Sequence, residues 1–273
     1  MIIVRYTAAL AGAALLAAAW PAPPARAAAV CEVRSGPATA ALIELYTSEG
    51  CSSCPPADRQ LRALRSQLPV SALVVPVGLH VTYWDGLGWR DPFAQPAFDA
   101  RQRALLDQRR ARVAYTPQFF VNGDELRDWQ GMLTTTIQRI NARPAAASIA
   151  FKTTSATGPE DGLRLDVLAR LADPHAAGKL YVAVTESGLS SQVRRGENGG
   201  VTLHHDDTAR FWLGPVAFAQ GQAELHRNLA LPPQWRREGL RALAFVQDDD
   251  AHVLQAVDTA TCTTPVAHAG GLQ

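Results

Sequence analysis

Thr39-Ala40-Ala41-Leu42-Ile43-Glu44-Leu45-Tyr46-Thr47, then Ser48-Glu49-Gly50, then Cys51-Ser52-Ser53-Cys54-Pro55-Pro56-Ala57, is the stretch on which the reading of this chain turns. The first nine residues form a short apolar run suited to a buried strand. The cysteine pair follows at once, and Ala57, Leu61, Leu64 and Leu68 then recur at helical spacing. Two residues between the cysteines let the sulfurs meet in a small ring at the start of that helix. There the first thiol lies near unpaired backbone N–H groups and the positive end of the helix dipole, and both favour thiolate. Cys51 is therefore the expected catalytic nucleophile and Cys54 the residue that resolves a mixed disulfide. Pro55 argues that the helix starts at 55 or 56 with the cysteines in the turn before it, because a residue preceding proline avoids the α region. Glu49 is close in sequence, and a carboxylate there opposes thiolate formation.

Working outward, residues 71–81 are a second apolar, β-branched run and an expected central strand. An aromatic-rich stretch over 83–93 precedes a basic helix over 96–110, with Pro96 suited to its first turn. Phe119-Phe120-Val121 and the residues after Asn122-Gly123 read as a hairpin, and 129–141 as a closing helix. The order strand–helix–strand–helix–strand–strand–helix predicts an α/β thioredoxin-like domain over 28–143. In such a fold a cis proline faces the dithiol, which assigns Pro117 to that place. The Thr116 backbone then becomes the contact for an incoming substrate strand. His80 and Asp85, at and after the end of the second strand, are candidates for moving protons to and from Cys54. The alternative for His80 is a satisfied strand residue, and Trp84, Trp89 and Phe93 read as core.

The pattern changes after Arg143-Pro144-Ala145-Ala146-Ala147, a linker. Leu163, Leu165, Val167 and Ala169 alternate with Arg164, Asp166, Leu168 and Arg170, the period of a half-solvated strand. Further strand candidates lie at 180–185, 201–204, 223–229, 242–247 and 253–257. Together they predict a second, all-β antiparallel sandwich-like domain over 148–262, with a disordered tail over 263–273. Arg195-Gly196-Glu197-Asn198-Gly199-Gly200 lacks the lysine of a phosphate loop and reads as a glycine-rich turn. His204 and His205 are adjacent in a strand, so they point to opposite faces and suit a solvated edge better than a metal.

At the amino terminus, an apolar run over 8–20 is broken by prolines and followed by Ala25-Arg26-Ala27. This is read as a secretion signal over 1–27, too short to span a bilayer. Beyond it the chain holds 24 basic and 25 acidic side chains, a balance that suggests neither nucleic acid nor an anionic membrane as partner. Export, to the periplasm or beyond, implies an oxidising compartment in which paired cysteines form disulfides. Cys31 and Cys262 are the expected structural pair. Their bridge fastens both ends of the mature chain and contributes on the order of 5 kcal/mol in the chain-entropy model. A metal site is disfavoured, since only one CxxC exists and His80, His204, His205, Cys31 or Cys262 would have to complete it. No cofactor is implied.

The block from Glu44 to Asp58 resembles the signature of a bacterial secreted family, domain of unknown function 1223. Leu79-His80-Val81, Trp89-Arg90-Asp91-Pro92-Phe93, Tyr115-Thr116-Pro117-Gln118 and Arg195-Gly196-Glu197-Asn198 are similar to its other shared blocks. The departures are Thr82, where that pattern often has an acid, and Val201, where it has arginine. The resemblance implies a thioredoxin-like fold and export from a Gram-negative cell, and it carries no activity. From the residues, the first expectation is a thiol–disulfide oxidoreductase acting on protein or peptide thiols and disulfides. The competing readings are a redox-inert binding or scaffold module with a structural CxxC bridge, and a metal-binding protein. The oxidoreductase reading requires the pair to be open to solvent and Pro117 to lie beside it.

Overall fold

The computed structural model describes residues 29–156 and 162–262. The expected secretion signal and carboxy-terminal tail lie outside them. The elements are β1 (Ala29–Arg34), β2 (Ala41–Thr47), α1 (Pro55–Gln67), β3 (Val74–His80), α2 (Pro96–Gln108), β4 (Gln118–Val121), β5 (Asp124–Glu125), α3 (Trp129–Asn141) and β6 (Ala147–Ala156). They continue with β7 (Gly162–Leu171), β8 (Lys179–Glu186), β9 (Leu189–Gln192), β10 (Thr202–His205), β11 (Thr208–Ala217), β12 (Gln222–Ala230), β13 (Leu240–Gln247) and β14 (Val253–Asp258).

These strands overturn the expected fold class of an α/β thioredoxin-like domain followed by a separate antiparallel sandwich. The molecule is mostly β, with three α-helices among the described residues. Its main sheet has eight strands in the order β14-β13-β8-β11-β3-β2-β4-β5, drawn from both halves of the chain. The junction is β11 beside β3, where Thr208 pairs with Gly78 and the Gly78 N–H donates to the Asp207 carbonyl. β1, from the first half, leaves that sheet to pair with β6 in a four-stranded antiparallel sheet, β1-β6-β7-β12. Local periodicity reports the period of a strand and not its neighbour, so this exchange between halves leaves no trace in it.

The side chains of the main sheet alternate between two faces, as strand geometry requires. On one face Ala41, Ile43 and Leu45 of β2 meet Ala57, Leu61 and Leu64 of α1 and Leu133, Ile137 and Ile140 of α3. On the same side, further along, Leu180, Val182 and Val184 of β8 pack against Phe151, Leu165 and Val167 of the four-stranded sheet. The opposite face carries Leu42, Tyr46, Val77, Tyr181, Ala183 and Phe245 under Phe98 and Leu105 of α2.

Arg101 of α2 ties the halves together on that face. Its Nε and Nη2 donate to Glu44 of β2 at 3.0 and 3.1 Å, and its Nη1 donates to Gln247 of β13 at 2.7 Å. The guanidinium lies 5.1 Å from the Tyr181 ring centre and 5.3 Å from that of Phe245. Cys31 at β1 is disulfide-bonded to Cys262 just past β14, with Cα atoms 5.8 Å apart. No helix among the described residues is long and apolar enough to cross a membrane.

Candidate functional site

β2 runs parallel to β3 in register Thr47–His80, so the chain leaves both strands at the same end of the sheet. After β2 the backbone turns tightly. The Cys51 N–H donates to the Ser48 carbonyl, and the Cys54 N–H to that of Cys51. α1 begins at Pro55, as Pro at a first-turn position favours. Cys54 nonetheless holds α-region dihedrals (φ −79°, ψ −34°). Its carbonyl accepts from both Ala57 and Asp58, which offsets the bias against that conformation before proline. Cys51 and Cys54 are joined in a disulfide, with Cα atoms 5.4 Å apart.

Both cysteines have zero exposure, while Ser52 and Ser53 between them are exposed. The solvent access required of an oxidoreductase is therefore lacking in this closed arrangement. Against the cysteine turn lies the tip joining β9 to β10, the Arg195–Asn198 block that reads from sequence as a glycine-rich turn. The buried Asn198 amide donates to the carbonyls of Glu49 and Cys51, both at 2.9 Å. The Glu197 carboxylate accepts from the Ser52 N–H at 3.0 Å and from the Ser52 hydroxyl at 2.7 Å. Those two donors hold the exposed Glu197 carboxyl below its ordinary value. Gly196 (φ +80°) passes so close to Trp89 that an added Cβ would lie 3.2 Å from that residue's Cβ.

The residues that flank the cysteine turn belong to a linked set of acids and imidazoles. Glu49 is fully buried, its carboxylate accepting from Trp89 Nε1 at 2.8 Å and pairing with His205 Nε2 at 3.1 Å. His80 pairs with Asp91 at 2.7 Å, and the same Asp91 oxygen accepts the Glu49 N–H at 2.8 Å. Burial works against a charged His80, but the Asp91 carboxylate together with Asp58 and Glu49 more than offsets it, so the imidazole pKa is raised. Burial likewise opposes the Asp91 charge, and His80 with two backbone N–H donors nevertheless draws its pKa down. The His80 and His205 rings meet edge to face at 4.9 Å, with Phe93 against both. Asp58, one helical turn after Cys54, faces a small cavity with His80, His205 and Thr208. Burial pushes its carboxyl up, against the pull of both histidines. The Thr47 hydroxyl lies by the Asp58 carboxyl and favours its charged form, and the buried Thr208 hydroxyl has no hydrogen-bond partner among the described residues.

The other expected residues fall around this centre unevenly. Thr116–Pro117 is a cis peptide bond, and Thr116 Oγ1 accepts from Trp84 Nε1 at 2.8 Å. Trp84 in turn packs on Gly50, so Thr116 stands one side chain away from the cysteine turn. Asp85 accepts the Asp91 N–H at 3.0 Å and so shapes the loop that carries Asp91. Trp84 and Trp89 are half-buried donors to the site rather than enclosed core residues. His204 is exposed, but His205 is buried, which corrects the reading of both as solvated edge residues. Sequence reasoning missed Asp91, His205, Glu197 and Asn198 as partners of the pair. The Arg195–Asn198 block was visible as a motif, without its address. No group of histidine, cysteine or acidic residues suited to a metal ion occurs among the described residues.

The model of the family described as "Protein of unknown function (DUF1223)" matches residues 42–247. The chain belongs to this family. The matched span includes the disulfide, the loop carrying Asp91 and the β9–β10 tip. No curated protein matches it. Among solved structures, protein AGR_C_4864 from Agrobacterium tumefaciens is similar at 20% identity and a TM-score of 0.57, over 85% of this chain and 98% of that one. HBP35 of Porphyromonas gingivalis is similar at 17% identity and a TM-score of 0.64, over 88% of this chain and 81% of that one. At such identities the likeness is one of fold.

Proposed function

We propose that this family member is an exported thiol–disulfide exchange protein, working through Cys51 and Cys54 on protein or peptide partners. The observation that carries the reading is the linked set of buried Glu49, His80, Asp91 and His205 with half-buried Asp58, whose Glu49 and Asp58 flank the cysteine turn on either side in the chain. Taking such groups out of water costs several kcal/mol per ion unless each is well partnered. A disulfide that only braces a turn does not need them, whereas exchange at a dithiol has protons to move as thiols form and ionise. In this scheme the Cys51 thiolate attacks one sulfur of a partner disulfide, forming a mixed disulfide and expelling the other partner sulfur as a thiolate. The Cys54 thiol gives up its proton, and its thiolate then displaces the remaining partner sulfur from Cys51, which leaves the 51–54 disulfide and a reduced partner. Thr116 and Pro117 border the substrate strand, and His80 belongs to the proton-handling set.

A second reading is a permanent structural bridge in a binding module, and the zero exposure of both sulfurs favours it. The reduction potential of the 51–54 pair, measured in glutathione buffers, separates the two. Exchange requires a value in the range of about −120 to −270 mV, whereas a structural bridge falls below about −300 mV. A Cys54→Ser variant of the exchanging protein accumulates mixed disulfides through Cys51. Absence of any adduct, with a potential below that limit, would leave the bridge as the answer.

A further inference from the structure

We infer that the β9–β10 hairpin is a movable latch, with Glu197 and Asn198 closing the Cys51–Cys54 disulfide at rest and releasing it when a substrate strand takes their place. The hairpin pairs with neither large sheet and forms a two-stranded ladder of its own, from Thr202 opposite Gln192 to His205 opposite Leu189. Its tip is internally tied. The Val193 N–H donates to Val201, that of Gly200 to Val193, that of Gly199 to Gly196 and that of Val201 to Asn198. Lifting the tip leaves all of these bonds in place. The polar contacts to be given up are the two Asn198 bonds to backbone carbonyls and the two Glu197 bonds to Ser52. His205 on Glu49 holds the base of the hairpin.

The chemistry of those contacts says what can replace them. Glu197 supplies an acceptor to the Ser52 N–H and hydroxyl, and Asn198 supplies a donor to the carbonyls of Glu49 and Cys51. An extended polypeptide carries both kinds of group along its backbone, so a substrate strand satisfies the same atoms as it displaces the tip. Between the buried Val193 at its base and Val201, Asn198 is buried while residues 194–197, 199 and 200 are exposed, so one amide anchors the end of the tip. The latch rests on the exchange reading for its substrate, but its closure is testable without one.

The test is the rate at which dithiothreitol reduces each disulfide of the full chain, followed by alkylation and peptide mass analysis. A reagent thiolate attacks one sulfur of the 51–54 pair and breaks the bond. The second reagent thiol then closes the reagent's own ring, and two electrons and two protons from the reagent leave both cysteines reduced. Asn198→Ala removes two hydrogen bonds from a buried amide and raises the 51–54 rate about tenfold. Glu197→Ala, at an exposed position that folding tolerates, raises it in the same direction. The Cys31–Cys262 rate stays at the wild-type value in both. Unchanged 51–54 rates, or equal acceleration of both bonds, overturns the latch. A latch that opens onto a pair with a potential in the range of structural bridges sinks the exchange reading alone. A potential in the working range with no effect of either variant sinks the latch alone.

Discussion

Arg101→Ala is the substitution whose cost the fold makes most definite. It deletes the guanidinium that meets Glu44 with two hydrogen bonds, and among the described residues it leaves that carboxylate, at zero exposure, with only the Tyr46 hydroxyl, 3.3 Å away, as a side-chain donor. Breaking a buried pair by removing one partner costs about 3–5 kcal/mol. The loss of the stacked contacts with Tyr181 and Phe245 comes on top of this. A loss of about 4 kcal/mol lowers the melting temperature of a domain this size by about 8–16 °C. Urea unfolding with both disulfides intact, followed by far-ultraviolet dichroism and by tryptophan fluorescence, measures it. The two probes coincide, because Arg101 and the eight-stranded sheet make the halves one cooperative unit. Replacing both partners, Glu44→Leu with Arg101→Met, recovers most of the loss. A cost below about 1 kcal/mol for Arg101→Ala, or two separate transitions in the wild type, would refute the reasoning.

Further outcomes follow from the same contacts. The His80 pKa is raised above 6.5, so the stability it contributes is complete below pH 6.5 and is lost as pH rises through the folded value. Melting temperatures therefore fall as pH rises above 6.5, and His80→Gln flattens that fall. Replacing Cys31 and Cys262 together by serine lowers stability by about 5 kcal/mol in the chain-entropy model, read by urea unfolding. Gly196→Val places a branched side chain at φ +80° against Trp89, costing about 1–2 kcal/mol of local strain. It disturbs the tip, and faster proteolysis between residues 193 and 201 reports this.

Local structure was legible where composition and backbone chemistry agree. The apolar run before Cys51, the helix carrying Leu61 and Leu64, the turn at Asn122-Gly123 and the helix over 129–141 all stand where their patterns put them. β11 was not legible, because Gly214-Pro215 interrupts it and proline inside a run argues against a strand. The structure absorbs that pair at a shift in register between Leu213 and Val216. Of the site, the cysteine turn and His80 were visible. Glu49 was read as a carboxylate opposing thiolate formation, and its partners Trp89 and His205 were not visible. The strand period says that one of His204 and His205 points inward, but four residues give no way to choose which. That Asn198 meets the Cys51 carbonyl across 147 positions is a property of the sheet order, and no local pattern encodes it.

The seam at β3 bears on how the protein comes into being. A chain made amino end first presents β2, β3 and β4 long before Thr208 exists to cover the flank of Val74–His80. Until then that apolar ribbon is an open margin, ready to stick to any stray strand. Fragments that stop ahead of β11 should thus aggregate rather than form a smaller working protein, and the nascent chain needs a guardian for as long as its second half is unmade.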